Sequence, residues 1–274
     1  MIDDLISMQT TMPPEVIDDL GPVDPAVGRL AILGGAKNLD RLAEFASLEA
    51  LWVGDVKPAQ LDRIVSMIDP EYLMLNGMRI EDLSSLTRLR RLQALEIMWN
   101  TRVSDIGFLR ELPALRLLGI SDCVKVRDLS PIAALRALEV LDLSGGMWSV
   151  FKPETLAPLA GLDKLWGLSM TNIRVADQSL EPVANLKGLR KLELSNQFPT
   201  QEYARLSVAL PDTECAHFEP YFAVFHGRGE TVMVTGKGKP VLTLPRDQER
   251  LDKYVAQFRA LQDGFRRQYQ GNAN

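Results

Sequence analysis

A leucine motif recurs along this chain at a nearly constant distance, and it constrains the fold more than any other feature of the sequence. The central leucines are separated by 21, 22, 22, 23, 23, 27 and 24 residues: Leu30, Leu51, Leu73, Leu95, Leu118, Leu141, Leu168 and Leu192. A period in the low twenties around an L-x-x-L-x-L segment is typical of a solenoid. Because one repeat cannot bury its own apolar face, neighbouring repeats must stack to form a continuous core.

The alternation of side chains along a strand separates inward from outward positions in each repeat. In the fourth repeat, positions 1, 4, 6 and 9 point inward and are Leu92, Leu95, Ile97 and Asn100. Positions 3, 5, 7 and 8 face the concave surface. The apolar residues that follow the strand recur at every third position, as in Ile106, Leu109 and Leu112, and this spacing predicts a short helix or 3₁₀ turn on the convex side.

The turn segments carry a second pattern, seen in Met78-Arg-Ile80-Glu-Asp-Leu83, Val103-Ser-Asp-Ile106 and Val126-Arg-Asp-Leu129-Ser-Pro-Ile132. Together with the leucines, this pattern resembles the internalin-like leucine-rich repeats, a class with 22-residue repeats. The resemblance covers about residues 29–218. It implies an α/β solenoid, a horseshoe with a parallel β-sheet on the concave face and short helices or 3₁₀ turns on the convex face. It indicates a binding protein without indicating the partner.

The chain departs from this family at position 9, where the family has asparagine bonded to the backbone of the neighbouring turn. Only Asn100 matches, and Cys123 is a familiar substitute. The other aligned residues are Gly35, Val56, Met78, Gly146, Ile173 and Gln197. Most turns must therefore satisfy their buried backbone groups in another way, and we expect an array less regular than the family norm.

Two end segments flank the array in this interpretation. Residues 1–28 contain six acids and no base and are predicted to be an acidic N-terminal cap or arm, with a short helix over 13–21. At its C-terminal end, the array is predicted to finish with a helix over 202–210 and a last strand over 213–218. Residues 219–274 are predicted to form a cap, with a separate binding module as the alternative. Its elements would be a β-hairpin joined by residues 227–230, a strand over 241–244 and an amphipathic helix over 246–270.

The sequence offers few groups for catalysis. It has two histidines, and neither a C-x-x-C, an H-E-x-x-H nor a G-x-S-x-G motif. Cys215 and His217 would share one face of a strand, but a structural role is the favoured interpretation of this pair. The turn at 236–239 lacks the spacing of a phosphate loop. We therefore predict a protein without catalytic residues, metal site or cofactor.

The charge, the apolar runs and the cysteines of the chain restrict the cellular compartment and the kinds of partner that we expect. The net charge of −5 argues against nucleic-acid binding, and no apolar run is long enough to span a membrane. Cys123 and Cys215 would lie about 19 Å apart across four strand spacings, too far for a disulfide. Two free thiols and the absence of a secretory signal at the N-terminus predict a cytoplasmic protein.

The outward positions contain a cluster of large side chains beside a row of acids. The cluster consists of Trp52, Tyr72, Met74, Met98 and Trp99, and the acids are Glu96, Asp122 and Asp142. Exposed aromatic clusters often mark binding sites, so these residues are candidate partner contacts. The alternative is that the aromatic side chains shield an imperfect core or are covered by the N-terminal segment.

The 27-residue step contains a four-residue insertion within 145–151. Insertions in repeats map to loops and often to the binding side, which makes Trp148 and Phe151 candidate contacts over the concave rim. The alternative is that they fold back onto the core.

These observations favour a monomeric protein-protein interaction module. Its partner would be another protein with an aromatic or aliphatic anchor flanked by Arg or Lys, and one specific version is an immunity-type inhibitor of a basic toxin or effector. A structural or self-associating protein, joined through its acidic N-terminus and basic C-terminus, is the alternative.

Overall fold

Nine strands lie side by side in chain order in one parallel sheet. The structure is a computed structural model that describes residues 13–224 and 230–271. The strands are β1 Val16–Asp19, β2 Arg29–Lys37, β3 Ala50–Gly54, β4 Tyr72–Met78, β5 Ala94–Asn100, β6 Leu117–Ser121, β7 Val140–Ser144, β8 Gly167–Met170 and β9 Lys191–Leu194.

The strand register aligns all eight central leucines. Each pairs with the leucine of the next strand, from Leu30 opposite Leu51 to Leu168 opposite Leu192. All eight are buried in one continuous apolar core. The predicted leucine-rich repeat solenoid is therefore confirmed, with every repeat in the same register.

Short helical turns close the convex side of the repeats, as the three-residue spacing predicts. They are 3₁₀ turns at Leu39–Glu44, Ser84–Arg88, Gly107–Glu111, Ser130–Ala134, Ala157–Leu159 and Glu181–Asn185, and one α-helix, α1, at Pro58–Val65. A proline occupies the first or second position of α1 and of three of these 3₁₀ turns. Proline is well suited there because the first amides of a helix have no partner within it.

The N-terminal segment differs from the prediction. The helix expected over 13–21 is wrong, because Val16–Asp19 forms β1 and pairs in parallel with β2. The β-branched Val16 and Ile17 favour a strand, and the pairing satisfies backbone groups that the edge of β2 would otherwise expose. Arg41 fixes the turn that follows, donating from its guanidinium to the carbonyls of Leu20 at 2.5 Å and Gly21 at 2.6 Å.

The C-terminal end of the array also differs in part. The expected helix is present as α2, Thr200–Ala209. The strand expected over 213–218 is wrong: only Glu214 makes a bridge, to Lys191, and Ala216–Phe218 is a 3₁₀ turn. The strand that the sheet has in addition to the eight repeat strands is therefore β1, at the N-terminal edge, and not a strand at the C-terminal edge.

A small antiparallel sheet and a long helix follow the array, as predicted. The strands are β10 Tyr221–Ala223, β11 Glu230–Val234 and β12 Val241–Leu244, and the helix is α3, Gln248–Gly271. Phe258 of α3 is buried in the core of the array, and Gln262 donates to Ser207 of α2 at 2.8 Å. His226 and most of the hairpin turn lie outside the described residues.

Asn100 satisfies the backbone of its turn in the way the family pattern implies. It is fully buried, donates to the carbonyl of Ile80 at 2.9 Å, and accepts from the amides of Arg102 and Val103 at 3.1 and 3.3 Å. Cys123 lies at the same position of the next repeat, with its Sγ 3.6 Å from the carbonyl of Ile97.

We predict that Asn100→Ala destabilises the protein by about 2–3 kcal/mol, because it leaves two buried backbone groups and one half-buried backbone group without partners. Urea denaturation of the purified variant measures the change. Cys123→Ala is the matched control at position 9, and it should cost less because a thiol is a weak hydrogen-bonding group. Equal losses in the two variants would contradict this account.

Candidate binding surface on the concave rim

The aromatic residues of the concave face form a packed layer. Trp52 and Tyr72 belong to a second apolar cluster, on the opposite side of the sheet from the main core, with Ala31, Ala50, Ala94 and Leu117. The two rings lie 4.9 Å apart between centroids, and the guanidinium of Arg29 lies 5.3 Å from the centroid of the Trp52 ring. Tyr72 is 0% exposed and Trp52 only 4%. The expectation that these two side chains are open to solvent is therefore wrong.

Glu96 completes this layer. The Tyr72 hydroxyl donates a hydrogen bond to its carboxylate, and Gly119 on the next strand leaves room for it, because a Cβ there would lie 3.1 Å from the Cγ of Glu96. Burial, and then the charge of Glu96, raise the pKa of Tyr72, so the phenol remains a donor at neutral pH. Glu96 is 7% exposed and acts as part of the packing.

The other two acids of the predicted row remain half-buried and are oriented by hydroxyl groups. Asp142 accepts from Ser121 at 2.8 Å and from Ser144 at 2.5 Å. Asp122 accepts from the hydroxyl of Ser149. The two carboxylates are thus fixed on adjacent strands, β6 and β7, and add negative charge to this side of the sheet.

The last outward position of several strands has a left-handed backbone conformation. The φ angles are 50° at Asp55, 69° at Gly77, 51° at Trp99, 55° at Asp122 and 47° at Asn172. In this conformation the amides of Asp55 and Asp122 donate to the next strand at 3.0 Å. Gly, Asn and Asp tolerate it, whereas a large side chain is strained there by about 1–3 kcal/mol. Trp99 is therefore the unusual member, and it is 59% exposed.

The inserted loop at 145–151 is fixed to its neighbours by hydrogen bonds. Asn172 donates through its amide nitrogen to the carbonyls of Gly146 at 2.8 Å and Ser149 at 2.7 Å, while Ser149 is bonded to Asp122. Only glycine fits at 145 and 146, because a Cβ at either would collide with Asn172 and Ser149 or with Asp122. The loop therefore has a defined shape.

The two aromatic residues of this loop have opposite environments. Trp148 is 94% exposed, and its neighbour Met147 is 84% exposed. Phe151 is 0% exposed and bridges in parallel to Ile173, the position-9 residue of the next repeat. The expectation that Phe151 reaches over the rim is therefore wrong: it fills the position-9 site that the linear spacing assigns to Gly146, and the insertion bulges out before it.

These features define a rim surface made of Trp99, Asp122, Met147 and Trp148. They come from the ends of β5 and β6 and from the loop after β7, and two strand spacings of about 4.8 Å separate the chain at Trp99 from the start of that loop. Asp122 lies between them and anchors the loop. Met74 and Met98 are half-buried on the neighbouring concave face. Met147 is not among the residues that the repeat pattern predicts for this surface, although the two glycines before it mark a tight loop.

The Cys215–His217 pair lacks the features of an activated nucleophile. His217 is buried against the rings of Tyr203 and Phe222, with centroids 5.3 and 4.7 Å away, and its Nε2 has no hydrogen-bond partner among the described residues. Burial raises the pKa of the Cys215 thiol to about 11 and lowers the pKa of His217. Both groups are therefore neutral near pH 7. In the part of the chain that the structure describes, no group of three or more His, Cys, Asp and Glu could hold a metal ion.

Comparisons with known proteins found similar chains only among solved structures. No protein-family model and no curated protein matches the chain. Among solved structures, an internalin (InlF) from Listeria monocytogenes is 17% identical with a TM-score of 0.48. The aligned region covers 69% of this chain and 65% of the internalin chain. A second Listeria internalin, InlC2, is 23% identical with a TM-score of 0.43, covering 64% and 63%.

A leucine-rich repeat protein from Leptospira interrogans is 18% identical with a TM-score of 0.44, covering 69% of this chain and 60% of its own. The chain thus spans less than two thirds of the length of each of these three structures. Its own repeats and strand register define its class: it is a leucine-rich repeat solenoid, and its repeats resemble the internalin-like class. No helix among the described residues is long and apolar enough to cross a membrane.

We predict that Phe151→Ala destabilises the protein by about 3–5 kcal/mol, because it leaves a cavity in the core. Trp148→Ala, three residues earlier in the same loop, should change stability by less than about 0.5 kcal/mol. Chemical denaturation of both variants measures the difference. Similar losses in the two variants would contradict the assignment of one ring to the core and the other to the surface.

We also predict that the stability falls as the pH decreases below about 6.5. The buried His217 has a lowered pKa, so the unfolded chain binds a proton that the folded chain does not, until the pH reaches the folded pKa. Urea midpoints between about pH 7.5 and 5.5, above the range of ordinary carboxylates, measure the slope. His217→Phe should flatten it, and His226→Gln is the control. An unchanged slope in His217→Phe would exclude this cause.

Proposed function

We propose that this protein is a non-enzymatic protein-binding module that docks its partner on the rim surface. The observation that carries the proposal is the pair of exposed tryptophans, one in a strained backbone conformation and the other on a loop fixed by hydrogen bonds. A surface that contacts only water would gain no stability from a strained tryptophan or from an ordered loop that exposes one. Tryptophan is a frequent anchor of protein interfaces, and strained residues cluster at functional sites.

The defined shape of the loop supports this proposal energetically. A flexible loop must lose conformational entropy when it binds, and a preformed one loses less. Gly145 and Gly146 permit the close approach, and Asn172 and Asp122 fix the loop from two neighbouring strands. Met147 and Trp148 are thereby presented to solvent in one arrangement.

Charge suggests the chemistry of the partner. Asp122 lies between the two tryptophans, and Asp142 lies on the adjacent strand. A partner with an aromatic or aliphatic anchor flanked by Arg or Lys would match this arrangement, since a cation would contact both a carboxylate and an aromatic face. An inhibitor of a basic toxin or effector is a specific version of the proposal. The free thiols of Cys123 and Cys215 support a reducing compartment such as the cytoplasm.

The self-associating alternative stays a prediction. Asp3 and Asp4 of the acidic N-terminus lie outside the described residues, and the other acids of this segment include Asp19, which accepts from Asn38 at 2.7 Å within the same chain.

We predict that Trp99→Asn and Trp148→Ser each weaken partner capture from native lysate by about tenfold or more, as expected for interface anchors. Quantitative mass spectrometry of the captured proteins, compared with wild type, measures the loss. Tyr269→Ser on α3 is the matched control, because it removes an exposed aromatic residue elsewhere, 38% exposed, and should capture the same proteins as wild type.

A stability measurement separates binding from folding. Trp99→Asn should unfold at the same or a higher temperature than wild type, because asparagine tolerates the left-handed conformation better. Loss of capture without loss of stability supports the proposal. If both tryptophan variants captured the same proteins as wild type in equal amounts, the rim surface would not be the binding site.

A further inference from the structure

A second surface feature, separate from the rim surface, is a small cleft lined by four cations. Its volume is about 300 Å³, and it is bounded by Arg127, Lys152, Arg174 and Lys237, together with Pro153, Val175, Ala176 and Gln178. No Asp or Glu belongs to the described residues that line it. The cleft lies where the turns after three successive strands meet the C-terminal cap.

The repeat itself places three of these cations together. Lys152 and Arg174 each follow a residue of the Phe151–Ile173 bridge, so they are neighbours on adjacent repeats. The carbonyl of Arg127 accepts from the amide of Glu154 at 3.0 Å, and the carbonyl of Pro153 accepts from Ala176 at 3.2 Å. The turns of three repeats are thus bonded to one another by their backbones, and their long basic side chains project from a fixed base.

The C-terminal cap supplies the fourth cation. The amide of Gly236 donates to Asn196 at 2.6 Å, and the amide of Lys237 donates to the carbonyl of Phe198 at 2.7 Å. Gly236 has a φ of 128°, and a Cβ there would collide with Thr200, so the turn docks closely on the array. Lys237 then reaches Gln178, donating to its side-chain oxygen at 2.8 Å. The docked cap therefore completes the cleft by adding its fourth cation.

The cations of the cleft have no close acidic partner among the described residues. None of the four forms an ion pair in the ranges 13–224 and 230–271. Two acids of the same turns keep their charge but are oriented by backbone amides: Asp128 accepts from Ser130 at 2.8 Å and Asp177 from Ser179 at 3.0 Å. Four cations around one cleft repel one another, and a bound anion would relieve that repulsion.

We propose that this cleft binds a compact polyanion with two or more linked phosphate groups. Its volume is at the lower end of small-molecule sites, which suits a phosphate chain better than a folded partner. Four positive charges match a di- or triphosphate better than a single carboxylate. Arg127 and Arg174 provide planar guanidinium groups for bidentate contacts, and Lys152 and Lys237 act as point charges. The proposal is independent of the rim surface.

Isothermal titration of the full chain with inorganic triphosphate tests the proposal. Binding should weaken as salt increases from about 50 to 200 mM, because the cleft is exposed. Arg174→Gln and Lys237→Gln should each weaken it by about tenfold, the effect expected for one charge-assisted contact. Lys125→Gln is the matched control, since Lys125 is an exposed lysine of the same repeat as Arg127 but does not line the cleft. Lys237→Gln tests the contribution of the cap in particular.

Two further ligands identify the source of the phosphates. Equal affinities for triphosphate and ATP would support recognition of the phosphate chain alone, and tighter binding of ATP would support a nucleotide as its source. An octaglutamate peptide that binds more tightly than either would overturn the proposal in favour of an acidic protein segment. The proposal is also overturned if triphosphate does not bind, or if Lys125→Gln weakens binding as much as Arg174→Gln.

Discussion

The parallel register of the central leucines is the constraint on which the rest of this protein depends. Each repeat contributes one strand whose inward leucine contacts those of its neighbours, and the apolar residues of the convex turns close the same core. Because adjacent strands are about 4.8 Å apart, residues 22 or 23 positions apart in sequence become direct neighbours. The concave layer, and the meeting of three turns at the basic cleft, are consequences of this translation.

The strand ends combine this regularity with two exceptions. At the ends of several strands the backbone is left-handed, and the residue there is one that commonly adopts this conformation: Asp55, Gly77, Asp122 and Asn172. Trp99 has the same conformation, although its large side chain makes that conformation unfavourable. Next to it, the inserted loop exposes Trp148 and Met147 while Phe151 restores the core. The exceptions therefore lie side by side on the rim, on a framework that is otherwise uniform.

Both faces of the sheet are packed with buried side chains in the N-terminal half, so few large side chains of the concave surface there are accessible to a partner. Tyr72 and Trp52 cover small residues at Ala31, Ala50 and Ala94, and Glu96 occupies the space above Gly119. A strand pattern shows only which side of the sheet a residue is on. Whether a large side chain there is open or covered depends on the size of its neighbours on adjacent strands.

The sequence alone determined the solenoid, the identity of its inward positions, the two separate cysteines and the cap elements, since these depend on local spacing and on a period that repeats. Tertiary structure decided what depends on contacts between repeats. The edge strand β1 forms because β2 offers an unpaired edge. Phe151 takes the core position that the spacing assigns to Gly146, because the inserted residues bulge outward before it. The stacked turns bring Arg127, Lys152 and Arg174 together, whereas only the docking of the cap places Lys237 beside them.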